Sequence, residues 1–424
     1  MLRKSKPILA SVLSLVLIGS TFAGCTSNTG SAQSKGPVKL ELFSTKTENI
    51  NILKSIVSTY EKENKNVTIT ITSPGSNSAK TVLKTRMTKN DIPDIVAMGG
   101  DATYTEIESS GVFEDLSNEP YASKVQESYK KMVYDVQNKK EKKLYGVPYA
   151  TNASGILYNV DIFKKYNISV PKTWDELIAD CKTLQNNGVQ PFEFPFKDAW
   201  TSLCPWNSMA PDLAPTGFLN DRMNGKTTFA ATHKEIAQKY LDLIKFGQKD
   251  MLGTTYADGN KIFAEGKAAM MINGNWAISE FKKTNTNMNV NLFALPASND
   301  KSKNYVTSGV DVLFSVSNDS KNVDAAKKFV EYMMKPETAQ EYIKDQFAFS
   351  AIKGVTQNDS SVEGVKDDIA NGKVTNFPDH YYPEGFSLQT LTQEFAKNAV
   401  DGMDEAKNID NFLSKCDKEY DAAK

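Results

Sequence analysis

From Val38 onward the chain alternates short apolar runs with amphipathic ones, and that order constrains the fold more than any other feature. "VKLELFST" has strand composition, and "ENINILKSIVSTYEKEN" repeats its apolar residues at helical spacing. "VTITITS" reads as a second strand and "SAKTVLKTRMTKN" as a second helix. A β-α-β-α order predicts a mainly parallel sheet with helices on both faces. "PDIVAMGG" reads as a short buried strand ending in two glycines, and "TYTEIESSGVFEDL" as the helix after it. In such sheets ligands gather beyond the carboxyl ends of the strands. The loops Ser44–Thr47 and Gly99–Asp101 are therefore candidate contacts.

The pattern changes from Tyr145. An extended Pro-containing segment leads into the strand "GILYN", and "PKTWDELIADCKTLQ" opens a helix with Thr173 and Glu176 as a capping box. Thr232 and Glu235 read as a second such box, opening "HKEIAQKYLDLIKFGQ". The stretch from about Val38 to Lys424 is too long for one compact core, so two lobes are expected, the second beginning near Ala150. Its helices are long and its strands short.

The first residues are a targeting segment. "MLRKSK" is basic, and "PILASVLSLVLIGSTFA" is apolar but too short and too oddly flanked for a membrane span, so residues 1–24 read as a secretory signal peptide. Their end, Phe22-Ala23-Gly24-Cys25, resembles a bacterial lipobox, with Phe22 where Leu is usual. The resemblance implies cleavage before Cys25 and lipidation of its thiol. Residues 25–37 then form a flexible, polar tether. The net charge is −1 with lysines spread evenly, which argues against nucleic acid as a partner. "NKKEKK" at Asn138–Lys143 reads as a solvated loop. Cys181, Cys204 and Cys416 have no CxxC spacing, and His233 and His380 are the only histidines. That pattern supplies neither a disulfide framework nor a metal site, and it implies no cofactor.

Several residues stand out for binding. In "AAMMINGNWAISEF", Trp276 falls where a strand has ended and a helix is about to start. It is either a core anchor or an aromatic face waiting for a ligand. "FPFKDAWTSLCPW" offers Lys197, Asp198 and Trp200 at a strand end entering a helix, where Asp198 also reads as an N-cap and Trp200 as core. Asp311 in "TSGVDVLFSV" lies on an apolar strand, where an unpaired carboxylate is costly, so it is paired or reaches into a cleft. Tyr381 and Tyr382 sit in the Pro-bounded loop "NFPDHYYPEGF", as a stacking face or as packing.

"IPDIVAMGG", "YGVPYATNASGILYN", "VPKTWDEL", "FAEGKAAMMINGNWAISEF", "LFALP" and "DAAKKFVEYMMKPETAQEYI" occur in this order. Together, behind a lipobox, they resemble the family 1 extracellular solute-binding proteins, the sugar-binding lipoproteins of bacterial ABC importers, which include the maltose-binding proteins. The resemblance covers nearly the whole mature chain. It implies an α/β, two-lobed periplasmic-binding-protein-like (type II) fold that closes on a ligand between its lobes. A first crossing is implied near Ala150–Asn152, a return near Phe293–Pro296 and a second departure near Val316–Asn318. The lobes would then be 38–150 plus 294–317, and 151–293 plus 318–424. The resemblance places Trp276 on the "NGxW" turn whose aromatic faces the sugar. It places Asp101 at a sugar-bonding aspartate, with Met98 where that family has an aromatic. Asn152 falls at a carboxylate position and Lys46 where a charged residue is used. The implied role is that of a lipid-anchored monomer on the outer face of the cell membrane, delivering a mono- or oligosaccharide to permease subunits. Alternatives are a binding protein for a polyamine or peptide, and a secreted glycoside hydrolase. Hydrolysis needs two acids roughly 5–10 Å apart, and only Asp101 and Asp311 are available to nominate, both from one lobe.

Overall fold

The computed structural model describes residues 36–137, 141–383 and 385–424. Cys25 and the signal and tether segments before residue 36 lie outside the described residues. So do residues 138–140 of the "NKKEKK" run, whose Glu141 and Lys142 are exposed. From Pro37 to Lys424 the chain forms one contact unit built on two sheets. In chain order the strands are β1 (Val38–Ser44), β2 (Val67–Thr72), β3 (Ile95–Met98), β4 (Val147–Thr151), β5 (Ser154–Asn159), β6 (Gln190–Phe192), β7 (Ala268–Gly274), β8 (Val290–Phe293), β9 (Val306–Thr307), β10 (Val310–Val316), β11 (Phe349–Ser350) and β12 (Val374–Thr375).

The first sheet has the order β11-β4-β10-β3-β1-β2. The helix Ile50–Glu63 joins β1 to β2 and buries Ile52, Leu53, Ile56, Val57 and Tyr60, the i, i+3, i+4 stripe that its sequence displays. Strands β2, β1 and β3 run parallel, as helical crossovers require. The rest corrects the expectation of a mainly parallel sheet, because β10 is antiparallel to both β3 and β4. The reason is topological. β4 runs toward the carboxyl edge of the sheet and leaves for the second lobe there. β10 arrives from that lobe at the same edge and can only run back.

The second sheet has the order β12-β9-β5-β7-β6, with β8 also paired to β5. β5 is antiparallel to β7, β8 and β9, while β6 lies parallel to β7. This sheet is covered by aromatic-rich packing on one side, around Trp206, Phe229, Tyr240 and Phe412, and by Phe263, Phe281 and Leu292 on the other.

The expected lobe boundaries need correction. "LFALP" is not a return to the first lobe, because β8 pairs with β5, and Leu295, Ala297 and Val306 are buried in second-lobe packing. The return comes at residues 308–309, between β9 and β10. The chain then stays in the first lobe longer than expected. Helices Val323–Met333 and Pro336–Gln346 bury Phe329, Val330, Met333, Tyr342 and Ile343 in the first core, joined by Ile352 and Val355. The lobes are therefore 37–151 plus 310–355, and 154–307 plus 360–424, with three crossings. β9 is two residues long and leaves no periodicity in the sequence by which to find the second crossing.

Thr173 caps its helix by accepting from the Glu176 N–H at 3.2 Å, while Glu176 accepts from the Lys172 N–H at 2.6 Å. The Thr232–Glu235 box does not form. Thr232 ends the short helix Phe229–Thr232, its hydroxyl donates to the Thr228 carbonyl, and Thr228 is the residue that caps.

Candidate functional site

The carboxyl ends of β1, β3 and β4 and the start of β10 lie along one edge, so the residues just past them are brought together by topology alone. Lys46 follows β1. Its Nζ donates to Asp311 Oδ1 at 2.6 Å, and the Asn152 amide donates to the same oxygen at 3.0 Å. Side-chain exposure is 25% for Lys46 and 13% for Asp311, so the pair is partly buried at the edge of the lobe. Burial, the largest influence on Lys46, would lower its pKa, but the charges of Asp311, Glu48 and Asp101 outweigh it and hold the ammonium above the usual lysine range. Asp311 is thus paired, one of the two outcomes that its apolar strand allowed.

Asn152 is only 8% exposed and ties two crossings together. Its N–H donates to the Gly309 carbonyl at 3.2 Å, its Oδ1 accepts from the Gly309 N–H at 2.9 Å, and its carbonyl accepts from Ser308 Oγ at 2.6 Å. A carboxylate here would have no N–H for Asp311 and would repel it.

Asp101 caps the helix Ala102–Ser109, with Oδ1 accepting from the Thr103 and Tyr104 N–H groups at 2.9 and 3.2 Å. Its Oδ2 lies 3.1 Å from Lys80 Nζ. Burial pushes this carboxyl up, but Lys80, His380 and the Tyr104 N–H outweigh it and hold it below the usual range. His380 belongs to the second lobe. The turn Pro378–Tyr381 that carries it contacts the helix Ala102–Ser109 of the first. This turn also lies on the second crossing, where a Cβ on Gly309 would come within 2.9 Å of Asn376 Oδ1 and 3.2 Å of the His380 ring. Glycine at 309 lets the turn sit there without displacing those side chains. Tyr381 is half-buried against the first core, its hydroxyl accepting from the Asn376 amide at 3.0 Å. Tyr382 turns the other way and is buried among Phe229, Phe386 and Tyr420, so it is packing.

The second-lobe wall begins where β7 ends. Gly274 pairs with Ser154 at the start of β5, and Asn275 exchanges two hydrogen bonds with Ala153, of 2.7 and 3.0 Å. Trp276 follows at once. Its ring folds back over Gly274 so closely that a Cβ there would lie 2.0 Å from a ring carbon. One face of the indole rests on backbone and the ring stays half-buried, so it is not a fully buried core anchor. Trp200, in the first turn of the helix Ala199–Leu213, meets Tyr256 edge-on with centroids 4.8 Å apart. Asp198 stands at the N-cap position but makes no cap bond. Its Oδ2 accepts from the Tyr256 N–H at 2.7 Å and so fixes the Trp200–Tyr256 pair. Lys197 is exposed beside it. Sequence reasoning missed Tyr256, Glu48 and His380. Tyr256 opens an ordinary helix capped by Thr255, and nothing local marks it.

Among the described residues no group of three or more His, Cys, Asp and Glu is placed to hold a metal, and no helix is long and apolar enough to cross a membrane. Cys181, Cys204 and Cys416 are buried free thiols.

The model of the family described as bacterial extracellular solute-binding protein matches residues 44–340. The chain belongs to that family. This solute-binding protein is 28% identical over 362 residues to the multiple sugar-binding protein of Streptococcus mutans, covering 82% of this chain and 84% of the relative. It is 23% identical to the melibiose/raffinose/stachyose-binding protein MelE of Bacillus subtilis, covering 94% of each. Among solved structures it superposes on RafE of Streptococcus pneumoniae in complex with raffinose with a TM-score of 0.75, at 26% identity, over 90% of this chain and all of that one.

The Lys46–Asp311 pair can be tested directly in this solute-binding protein. Lys46→Met should leave Asp311 with the Asn152 amide alone and cost roughly 1–3 kcal/mol in urea unfolding. Adding Asp311→Leu should restore most of that loss. Equal, additive losses would show that the two side chains do not depend on each other.

Proposed function

We propose that this protein captures a carbohydrate between its lobes and delivers it to the permease of an ABC importer. The observation that carries this reading is that the second lobe holds half-buried rings, Trp276 and the Trp200–Tyr256 pair, with Tyr256 in the field of Glu48 from the first lobe, whose strand-end edge gathers Lys46, Asp311 and Asp101. A pyranose presents a face of C–H groups that an indole can cover and a rim of hydroxyls that both donate and accept. The relatives named for sugars support the same class. Asn152 and Asp198 hold other groups in place, and Tyr381 packs on the first lobe with its hydroxyl bonded to Asn376.

The rival ligands and the rival activity fit less well. A polyamine calls for unneutralised acids, whereas Asp311 and Asp101 are each paired to a lysine. A glycosidase needs one carboxyl with a raised pKa, whereas Asp101 is held low. The family and the relatives are binding proteins rather than enzymes.

Trp276→Ala should remove ~100–150 Å² of apolar contact with the ligand, about 2.5–4 kcal/mol at roughly 25 cal/mol per Å². Calorimetry should report a loss of about two to three orders of magnitude in affinity, with the ligand-free melting temperature little changed. Unchanged affinity with a large drop in melting temperature would make Trp276 a helix anchor.

In the same reading, the protein acts outside the cell on a lipid anchor at Cys25. Cys25→Ser should abolish incorporation of a fatty-acid analogue while leaving ligand affinity intact. Persistent labelling would exclude Cys25 as the anchor.

A further inference from the structure

We infer that Glu48 is a charge gate for the ligand, admitting neutral saccharides and turning away the uronates, whose hydroxymethyl group has become a carboxylate. This rests on the carbohydrate reading above and narrows it to a charge state.

The loop that carries Glu48 is pinned from several sides. Ser44 Oγ donates across it to Asn49 Oδ1 at 3.0 Å, and the Asn49 amide donates to the Tyr342 hydroxyl at 3.1 Å. The Glu48 carbonyl accepts from the Gln346 amide at 3.2 Å, which ties the loop to the helix Pro336–Gln346. The carboxylate itself accepts from Thr47, through its N–H at 3.1 Å and its hydroxyl at 3.5 Å. Among the described residues it has no ion-pair partner, and the residue is half-buried. A fixed carboxylate partly withdrawn from water, with no cation against it, keeps most of its field.

Both sides of the proposed site lie in that field. Lys46 stands two residues earlier, and the charge of Glu48, behind that of Asp311, helps to hold its ammonium above the usual range. On the second lobe, burial foremost raises the Tyr256 hydroxyl above the usual tyrosine range, and Glu48 adds in the same direction. The lobes also face each other here. Glu48 and Ser279 line one groove between them, and Ser279 Oγ donates to the Trp276 carbonyl at 3.4 Å. A ligand held between the Lys46 edge and Tyr256 therefore sits beside Glu48.

The neighbouring cations are engaged elsewhere. Lys46 is paired with Asp311 and Lys80 with Asp101. Across the groove, Lys283 is paired with Glu280 at 2.5 Å, and Lys282 donates to the Met288 carbonyl at 2.7 Å. Lys344, also on the groove, stands between Glu341 and Asp345 on its own helix. On the first lobe's edge the carboxylates of Glu48, Asp101 and Asp311 thus face the ammonium groups of Lys46 and Lys80, and the unmatched charge is that of Glu48. A neutral sugar ring is indifferent to that charge. A uronate meets repulsion in a space where charges are weakly screened.

Calorimetry on the whole mature protein tests this with matched pairs. Galactose, melibiose, raffinose, glucose, maltose and maltotriose are each compared with the same sugar oxidised to a carboxylate at C6 of its non-reducing galactose or glucose. For a neutral sugar that binds, the wild type should bind the uronate at least thirtyfold more weakly, and the gap should narrow at about 0.5 M salt. Glu48→Gln keeps an acceptor for the Thr47 N–H, and its melting curve checks that it is folded. It should bind the uronate at least tenfold more tightly than the wild type does and the neutral sugar within threefold. An undiminished gap in Glu48→Gln, or a neutral affinity lowered more than threefold, overturns the inference and leaves the carbohydrate reading intact. Binding of none of the neutral sugars overturns both.

Discussion

The structure hangs on the amide of Asn152. Two of the three segments that join the lobes pass each other there, and one residue binds both through its own backbone, its Oδ1 and the Ser308 hydroxyl. The remaining donor, Nδ2–H, goes to Asp311 and so links the crossings to the first charged pair of the site. An amide both donates and accepts, and a carboxylate does not. That difference joins two of the segments between the lobes and the Lys46–Asp311 pair in one hydrogen-bonded unit. Loops and element termini of this kind absorb the rotation when two domains close on a ligand.

Electrostatics then separates the two walls. Two carboxylates on the first lobe's edge are each balanced by a lysine, Asp311 by Lys46 and Asp101 by Lys80, while Glu48 adds its charge beside Lys46. At Asp311 and Asp101 the edge therefore presents compensated charge and oriented hydrogen-bonding groups. That suits a neutral, hydroxylated ligand, which needs oriented donors and acceptors and offers no charge in return. The second lobe contributes rings whose positions are set by backbone. Trp276 is pressed against Gly274, and Tyr256 is held by Asp198. In the proposed site, rings fixed in this way before binding would lose little freedom under a stacked sugar.

Much of this was legible in the sequence. Lys46 and Asp101 could be nominated because strand ends leave strong apolar signals and residues just past parallel strands share an edge, and Asp311 because a carboxylate on an apolar strand has to be paired or reach a cleft. Trp276 stood out because Asn-Gly-Asn ends an apolar run. The lobe boundaries were less legible, since the second crossing is flanked by a strand of two residues and "LFALP" looks alike in either lobe. Tyr256 and His380 were not legible at all. Each is placed by tertiary packing, one at the start of an unremarkable helix and the other in a turn that docks on Gly309. Asp198 was read for the right position but the wrong bond, because its partner lies 58 residues away. The Thr232 box failed because a short preceding helix already claimed that hydroxyl.

In the proposed function a carbohydrate is held between the two lobes beside the Asn152 crossings. A thermal-shift panel of mono- and oligosaccharides on the purified protein tests it most directly, because a ligand at 100 times its dissociation constant stabilises the folded state by about 2.7 kcal/mol. At least one saccharide should raise the melting temperature in a concentration-dependent way, while polyamines and peptides leave it unmoved. A panel in which no saccharide shifts the transition and a polyamine or peptide does would contradict the account.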